Sequence, residues 1–150
     1  MSVALSTFTI ERHYPALPSR VYAAFADPAQ KAKWFVGPDD VFETAEWELD
    51  FRVGGREYNS AKAKNGPQHS FEATYLDIVE NERIIYSYVM HLDEAKISAS
   101  LSTIQIFPDG DGTLLTLTEH GAFLDGYDDA DSRERGTRDL LDALGTSLTD

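Results

Sequence analysis

Two adjacent stretches decide the fold: residues 83–92 read RIIYSYVMHL and residues 97–107 read ISASLSTIQIF. Both are rich in β-branched and aromatic residues, and apolar and polar positions alternate along most of each stretch, as is typical of strands. The short polar separator that begins with Asp93-Glu94 predicts a tight connection between them. Together the two stretches predict an antiparallel hairpin.

Similar strand signals flank this hairpin on both sides. The other predicted strands are residues 8–14, 42–51, 57–64, 68–79 and 113–120. Turn residues such as Gly54-Gly55 and Asn65-Gly66-Pro67 separate them. Because hairpins joined in sequence make a meander, the chain predicts a curved antiparallel sheet of about seven strands.

Helical signals lie at the two ends of this strand-rich region. After the first strand, Ser19 begins a short helical pattern, Asp27-Pro28 starts a second, and residues 37–40 break it. Near the end of the chain, residues 128–134 form a polar start rich in N-cap residues. One amphipathic helix then follows, with apolar positions at Leu140, Leu141, Leu144 and Leu148.

The last helix needs an apolar partner, and the sheet is the only large candidate. We therefore predict an α+β fold in which a curved antiparallel sheet wraps the C-terminal helix, with two short helices after the first strand. A curved sheet that grips a helix leaves a space between the two. We expect function in that space.

Composition narrows the classes of function. The 150 residues predict one domain over residues 1–150, and 26 acidic against 13 basic residues give a net charge of -13. This charge argues against nucleic acid and anionic membranes as partners. The absence of cysteine excludes disulfides and thiol chemistry. With neither an apolar run of membrane-spanning length nor a secretion signal, we expect a cytoplasmic protein, either a monomer or a homodimer.

Short matches spread along almost the whole chain point to a family. They are residues 21–25, 33–35, 50–56, 75–79, 82–84, 112–118, 133–137 and 140–141. Taken in order, they resemble the SRPBCC (START/Bet v 1-like) superfamily, and within it the group related to the C-terminal domain of the Hsp90 ATPase activator. The resemblance implies a helix-grip fold. That superfamily includes lipid carriers, cyclases, ring-modifying enzymes and chaperone cofactors, so the fold alone does not select a function.

The resemblance breaks at one position in the last helix. Members commonly carry a tryptophan just after the glycine, whereas Thr137 follows Gly136 here. A bulky plug at the mouth of the cavity is therefore expected to be absent.

Inward-facing tyrosines and serines are the first candidate site residues. The period of two puts Tyr86, Tyr88 and Met90 on the face toward the helix, either as plain core or as the lining of a ligand cavity. On the next strand, Ser98, Ser100 and Ser102 face inward if Ile104 and Ile106 do. The alternative register turns Leu101 inward and the serines toward solvent.

Glu119 is the candidate for proton chemistry. It shares a strand face with Leu115 and Leu117, so its carboxylate either lies near the cavity or forms a rim ion pair with Arg133 or Arg138. No catalytic residue is expected unless Glu119 acts as one. The full set of candidate ligand-binding residues is Trp47, Phe71, Tyr75, Tyr86, Tyr88, Met90, Ser100, Ser102, Glu119 and Phe123.

Metal and cofactor sites are not expected. His13, His69, His91 and His120 lie on separate predicted strands without the spacing of metal ligands. The acidic residues between 125 and 131 do not match the EF-hand pattern, and helix capping accounts for them better. No phosphate-binding loop, zinc-protease motif or nucleophile elbow is present.

Three functions remain, in order of preference. The first is binding of a small hydrophobic or amphipathic molecule in the cavity. The second is a cofactor-independent cyclase or hydrolase that uses the same cavity, with Glu119 or a histidine as proton carrier. The third, implied by the resemblance, is interaction with a chaperone of the Hsp90 type. The 150 residues lack the additional N-terminal domain that the eukaryotic activators carry, which places this function third.

Overall fold

A computed structural model describes residues 1–36 and 42–149. The strands are β1 (Val3–Tyr14), β2 (Phe42–Leu49), β3 (Arg56–Ala63), β4 (Gln68–Val79), β5 (Arg83–Leu92), β6 (Ala95–Asp109) and β7 (Gly112–Leu124). The helices are α1 (Pro18–Ala26), α2 (Pro28–Phe35) and α3 (Ala130–Ser147). The break predicted at residues 37–40 lies outside the described residues.

The strands form one antiparallel sheet in the order β1-β7-β6-β5-β4-β3-β2. Strands β2 to β7 pair consecutively, as a meander does, and β1 pairs with β7. The predicted helix-grip fold is confirmed. The apolar core lies between the sheet and the helices, where Tyr14 on β1 donates a hydrogen bond to the carbonyl of Leu141 on α3 at 2.7 Å.

Strand β2 ends two residues before its predicted end. The predicted strand runs to residue 51, but residues 50–55 form a turn in which the Gly55 amide donates to the carbonyl of Arg52 at 2.7 Å. A Cβ atom on Gly55 would lie 2.1 Å from the Asp50 carbonyl oxygen, so only glycine fits there. This tight turn ends the strand. The alternation of apolar and polar residues does not encode it.

This turn also holds the middle of β4. The Gly54 amide donates to the Tyr75 carbonyl at 2.8 Å, and the Tyr75 amide donates to the Gly55 carbonyl at 3.0 Å. Gly54 has a φ of 82°, a conformation that glycine adopts at little cost. The two glycines therefore fix the backbone of Tyr75, whose ring faces the helices.

The register of β6 depends on a bulge. Met90 pairs with Ser98 but His91 pairs with Lys96, which leaves Ile97 as the extra residue on β6. From Ser98 onward the predicted serine register is confirmed, because Ser98, Ser100 and Ser102 are buried together with Ile104 and Ile106. The alternative register is wrong, since Leu101 is 37% exposed.

The helices begin close to their predicted starts. Helix α1 begins at Pro18, and the Asp27 side chain caps α2 by accepting from the Ala29 amide at 3.0 Å. Asp129 caps α3 by accepting from the Ser132 amide at 2.8 Å, which confirms a capping role for that part of the acidic cluster. Leu141 and Leu144 are buried as predicted, whereas Leu140 is 36% exposed.

Candidate functional site

A cavity of about 450 Å³ lies between the sheet and the helices. Its wall is mostly aromatic and aliphatic. The aromatic lining consists of Phe25, Trp34, Phe35, Phe51, Phe71, Tyr75, Tyr86 and Tyr88, and the aliphatic lining includes Ile84, Met90, Ile104, Leu117, Leu140 and Leu141. Strands β3, β4, β5, β6 and β7 and all three helices contribute to it.

Three tyrosines form a row across the sheet side of the cavity. Tyr75 pairs directly with Tyr86 across β4 and β5, with ring centroids 5.8 Å apart, and the Tyr86 and Tyr88 rings are 5.9 Å apart. Burial raises the pKa of all three phenols above the usual value. They therefore stay protonated at neutral pH and can donate hydrogen bonds.

One end of this row holds a buried ion pair. Lys31 Nζ on α2 lies 2.5 Å from Glu57 Oε1 on β3, and Tyr75 donates to the same oxygen at 2.5 Å. Trp47 Nε1 donates to Glu57 Oε2 at 3.0 Å. Burial lowers the pKa of Lys31, and the Glu57 carboxylate opposes that shift. Both carboxylate oxygens of Glu57 are thus satisfied.

The other end of the row holds Glu119, which is only 2% exposed. Its Oε1 accepts hydrogen bonds from Tyr88 at 2.7 Å and from Ser102, its cross-strand neighbour, at 2.9 Å. Its Oε2 has no hydrogen-bond partner among the described residues. Burial raises the pKa of Glu119, while the bonds from Tyr88 and Ser102 and the charge of Arg133 oppose the rise.

Arg133 on α3 lies next to Glu119 without pairing with it directly. Its guanidinium donates to the Tyr88 hydroxyl at 3.0 Å, to Ser98 at 2.8 Å and to the Asp128 carboxylate at 3.0 Å. The Tyr88 hydroxyl thus accepts from Arg133 and donates to Glu119. The rim ion pair considered for Glu119 is wrong, because Glu119 is buried and Tyr88 bridges it to Arg133.

With this geometry in place, comparison with known proteins assigns the family. The family model described as Activator of Hsp90 ATPase homolog 1-like protein matches residues 15–149. The chain belongs to this family. No functionally curated protein matches it.

Solved structures of bacterial proteins are similar over almost the full length of this family member. The Mll3558 protein from Rhizobium loti is 49% identical with a TM-score of 0.91, and the match covers 98% of this chain and 99% of that one. An uncharacterised protein from Rhizobium leguminosarum is 41% identical with a TM-score of 0.94, covering 99% and 97%. CV1439 from Chromobacterium violaceum is 30% identical with a TM-score of 0.79, covering 96% and 97%.

The candidate residues divide into those on the cavity wall and those behind it. The cavity wall includes Phe71, Tyr75, Tyr86, Tyr88, Met90 and Glu119. The candidates that lie off the wall are Trp47, Ser100, Ser102 and Phe123.

Each residue off the wall has a different surrounding. Trp47 and Ser102 support the two carboxylates from behind, as hydrogen-bond donors to Glu57 and Glu119. Phe123 packs under Arg133, with the guanidinium carbon 5.2 Å from the ring centroid. Ser100 is buried, and its Oγ makes no hydrogen bond within the described chain.

Sequence reasoning missed the ion pair between Lys31 and Glu57. Lys31 lies at helical spacing from Trp34 and Phe35, so it shares the inward stripe of α2. Glu57 shares a strand face with Asn59, which lines the cavity. The sequence signal for this ion pair was one charged residue among the inward-facing positions of α2 and one among those of β3.

Within residues 1–36 and 42–149, the histidine and carboxylate side chains form no metal centre. Among the described residues, no group of three or more metal-ligating side chains is close enough to hold an ion. Of the histidines, His69 lines the cavity, and His120 and His13 make exposed contacts with Thr7 and Asp109. In the described part of the chain, no helix has both the length and the apolar character needed to cross a membrane.

Proposed function

We propose that this chain binds a small, mostly apolar molecule in the cavity between the sheet and α3. One observation carries the proposal: an aromatic cavity of about 450 Å³ is lined in part by Glu119, a buried residue whose Oε2 has no hydrogen-bond partner in the described chain. The volume lies in the range of about 300–1,000 Å³ that is usual for ligand pockets. A buried oxygen without a partner carries a desolvation cost that a ligand donor would remove.

The contacts in this proposal have two kinds of role. Phe71, Tyr75, Tyr86 and Met90 supply apolar surface, and burial of ligand surface against them contributes roughly 25 cal/mol per Å². Glu119 and Tyr88 supply the polar groups that orient the ligand. Ser102 acts through Glu119, because it is bonded to that carboxylate from behind.

A cavity-filling variant tests the proposal. Thr137 lines the cavity on α3, so Thr137→Trp places a large ring in it. The exposed Asp139, which does not line the cavity, provides a matched control as Asp139→Trp. The readout is titration with N-phenylnaphthylamine, a neutral fluorophore whose emission rises in apolar surroundings.

The wild type and Asp139→Trp should bind this fluorophore alike. Thr137→Trp should weaken binding by about tenfold or more, because the space for the ligand is lost. Equal affinity in all three chains, with each shown to be folded by circular dichroism, would contradict binding in this cavity. Native mass spectrometry of freshly purified wild type is the complementary test, and a bound small molecule is its expected outcome.

A cofactor-independent reaction in the same cavity is our second proposal. Burial raises the pKa of Glu119, at the wall of an apolar cavity, and a shift in this direction favours a carboxylate as general base. A turnover screen with aromatic polyketide-like and ester substrates tests it. Activity that survives Glu119→Gln unchanged would remove Glu119 from the mechanism.

Interaction with a chaperone of the Hsp90 type is our third proposal, and it rests on the family description and on the net charge of -13. A pulldown with purified chaperone at low and high salt tests it, and we expect capture that salt weakens. This proposal includes a cytoplasmic location. Absence of capture at low salt would overturn it.

A further inference from the structure

The charges around the cavity leave one carboxylate without a cation of its own. The charged side chains on the described wall are Lys31, Glu119, Asp128 and Arg133. Lys31 pairs with Glu57 at 2.5 Å, and Arg133 pairs with Asp128 at 3.0 Å. Glu119 remains, with two hydrogen bonds to Oε1 and none to Oε2 within the described residues.

Both cations of the wall already have acceptors. Lys31 donates to Glu57 and lies 3.4 Å from the Tyr75 hydroxyl, and its Nζ is 4.4 Å from the centroid of the Phe35 ring. Arg133 donates to Tyr88, Ser98 and Asp128. An anionic ligand would have to share these cations with Glu57 and Asp128, the carboxylates that already pair with them, which disfavours a carboxylate or phosphate ligand.

The aromatic lining suits a cation. The faces of aromatic rings attract an ammonium group, most strongly where water is excluded. Tyr88 already lies within 5.6 Å of the Arg133 guanidinium carbon, so this end of the cavity packs positive charge against a ring. The net charge of -13 also raises the local concentration of cations at the surface.

We infer that the cavity takes an amphipathic amine, whose apolar body lies against the aromatic wall and whose ammonium group pairs with the Glu119 carboxyl group. This inference rests on the proposed binding function and adds the chemical class of the ligand. In the chain without ligand, burial favours a proton on Glu119. An ammonium group favours the charged carboxylate, so amine binding and protonation of Glu119 oppose each other.

Four naphthalenes substituted at the same ring position provide the test. They carry an aminomethyl, a hydroxymethyl, a methyl or a carboxyl group, so they differ in charge and in donor capacity but hardly in size. Affinities for the wild type are measured by isothermal titration calorimetry near neutral pH. We expect the amine to bind about tenfold or more tightly than the methyl compound, and the acid to bind most weakly.

Variants assign the preference to Glu119. Glu119→Gln should remove the advantage of the amine over the methyl compound when both affinities are measured on that same variant, because the apolar contacts are common to the two ligands. Asp139→Asn removes one negative charge from an exposed position that does not line the cavity, and should leave the order of the four ligands unchanged.

The wild type alone provides a second measurement, in case Glu119→Gln fails to fold. The amine should bind more weakly at mildly acidic than at neutral pH, since Glu119 then keeps its proton while the ligand remains charged. The hydroxymethyl compound corrects for the other titratable groups around this end, which are Tyr86 and Tyr88 on β5 and Asp128 and Arg133 near the start of α3.

The outcomes separate this inference from the proposed function. If the methyl and hydroxymethyl compounds bind but the amine has no advantage, or if the acid binds most tightly, the inference is overturned and cavity binding stands. An amine preference that survives Glu119→Gln, or that does not change with pH, also overturns it. If none of the four compounds binds, both proposals fail.

Discussion

Glu57 and Glu119 are two buried carboxylates at opposite ends of one row of tyrosines, and they differ in how completely the chain satisfies them. Glu57 has a lysine, a tyrosine and a tryptophan as partners, and both of its oxygens accept hydrogen bonds. Glu119 has two partners, both on Oε1. The first carboxylate ties α2 to the sheet, whereas the second keeps one buried oxygen without a hydrogen-bond partner in the described chain.

Buried charges that serve structure differ from those that serve function in how completely the chain pairs them. A fully paired charge is costly to break, because removal of one partner leaves the other charge buried alone. Burial of a half-satisfied carboxylate costs desolvation free energy, which the rest of the fold offsets. A ligand that donates a hydrogen bond to this carboxylate recovers part of that free energy. Changes at the Glu57 end should therefore have the larger effects on stability, and changes at the Glu119 end should have smaller effects on stability and act on binding and pH dependence.

Lys31→Met should have the largest effect, because it leaves Glu57 buried without its cation. We expect a loss of about 3–5 kcal/mol in the free energy of unfolding, measured by urea denaturation. Lys33→Met, at an exposed position of the same helix, is the control and should change stability little. The double variant Lys31→Met/Glu57→Leu should recover most of the loss. If Lys31→Met and Lys33→Met cost the same, the ion pair does not hold α2 to the sheet.

Trp47→Phe should have the next largest effect on stability. It leaves Glu57 with one oxygen that accepts no hydrogen bond within the described chain, as is the case for Glu119. A buried oxygen without a donor costs about 1–3 kcal/mol. The same substitution in the Lys31→Met/Glu57→Leu background should cost much less, since the acceptor is gone. Equal losses in the two backgrounds would mean that Trp47 acts through ring packing alone.

Ser102→Ala removes one of the two donors to Glu119 Oε1 and should cost about 0.5–1.5 kcal/mol near neutral pH. Ser100→Ala is a matched control on the same strand, because its buried hydroxyl makes no hydrogen bond within the described residues. We expect Ser100→Ala to be close to neutral or slightly stabilising in thermal unfolding. A larger loss for Ser100→Ala than for Ser102→Ala would contradict the assigned hydrogen bonds.

The smallest expected effect is a difference between wild type and Glu119→Gln in how the free energy of unfolding changes with pH. Burial raises the pKa of Glu119, so the folded chain holds a proton at pH values where the unfolded chain, with an ordinary carboxyl pKa of 4.5, has released it. The wild type should therefore lose stability relative to Glu119→Gln as pH rises from about that value through the folded pKa. Urea denaturation of both chains across this range measures the difference. A difference that stays constant, or that grows in favour of wild type, would mean that the pKa is not raised.

The sheet could be predicted from sequence because its signals are local. Strands β4 and β5 have the predicted bounds, since both alternate clearly and the turn between them contains Asn81, whose φ of 63° suits a turn asparagine. Glu119 could be placed near the cavity because its period on β7 continues that of Leu115 and Leu117.

The other end of the site could not be predicted, for a physical reason. Lys31 and Glu57 are 26 residues apart, and charged residues are ordinarily found at the surface. Their pairing depends on how α2 lies across the sheet, which is a tertiary contact that no local pattern encodes. The same holds for Trp47 and Ser102, which were expected in the lining but lie behind it as donors to the two carboxylates.

The bulge at Ile97 has a consequence for the changes of chain length that this hairpin tolerates. Strand β6 carries two alternating sets of side chains, one with Ser98, Ser100 and Ser102, the other with Ala99 and Leu101. One extra backbone residue selects which set faces inward. Loss of the extra residue turns Ser102, a donor to Glu119, away from the interior, and it turns Ile104 and Ile106 out of the core at the same time. A change of chain length at this hairpin therefore alters the support of Glu119 only at the expense of the core.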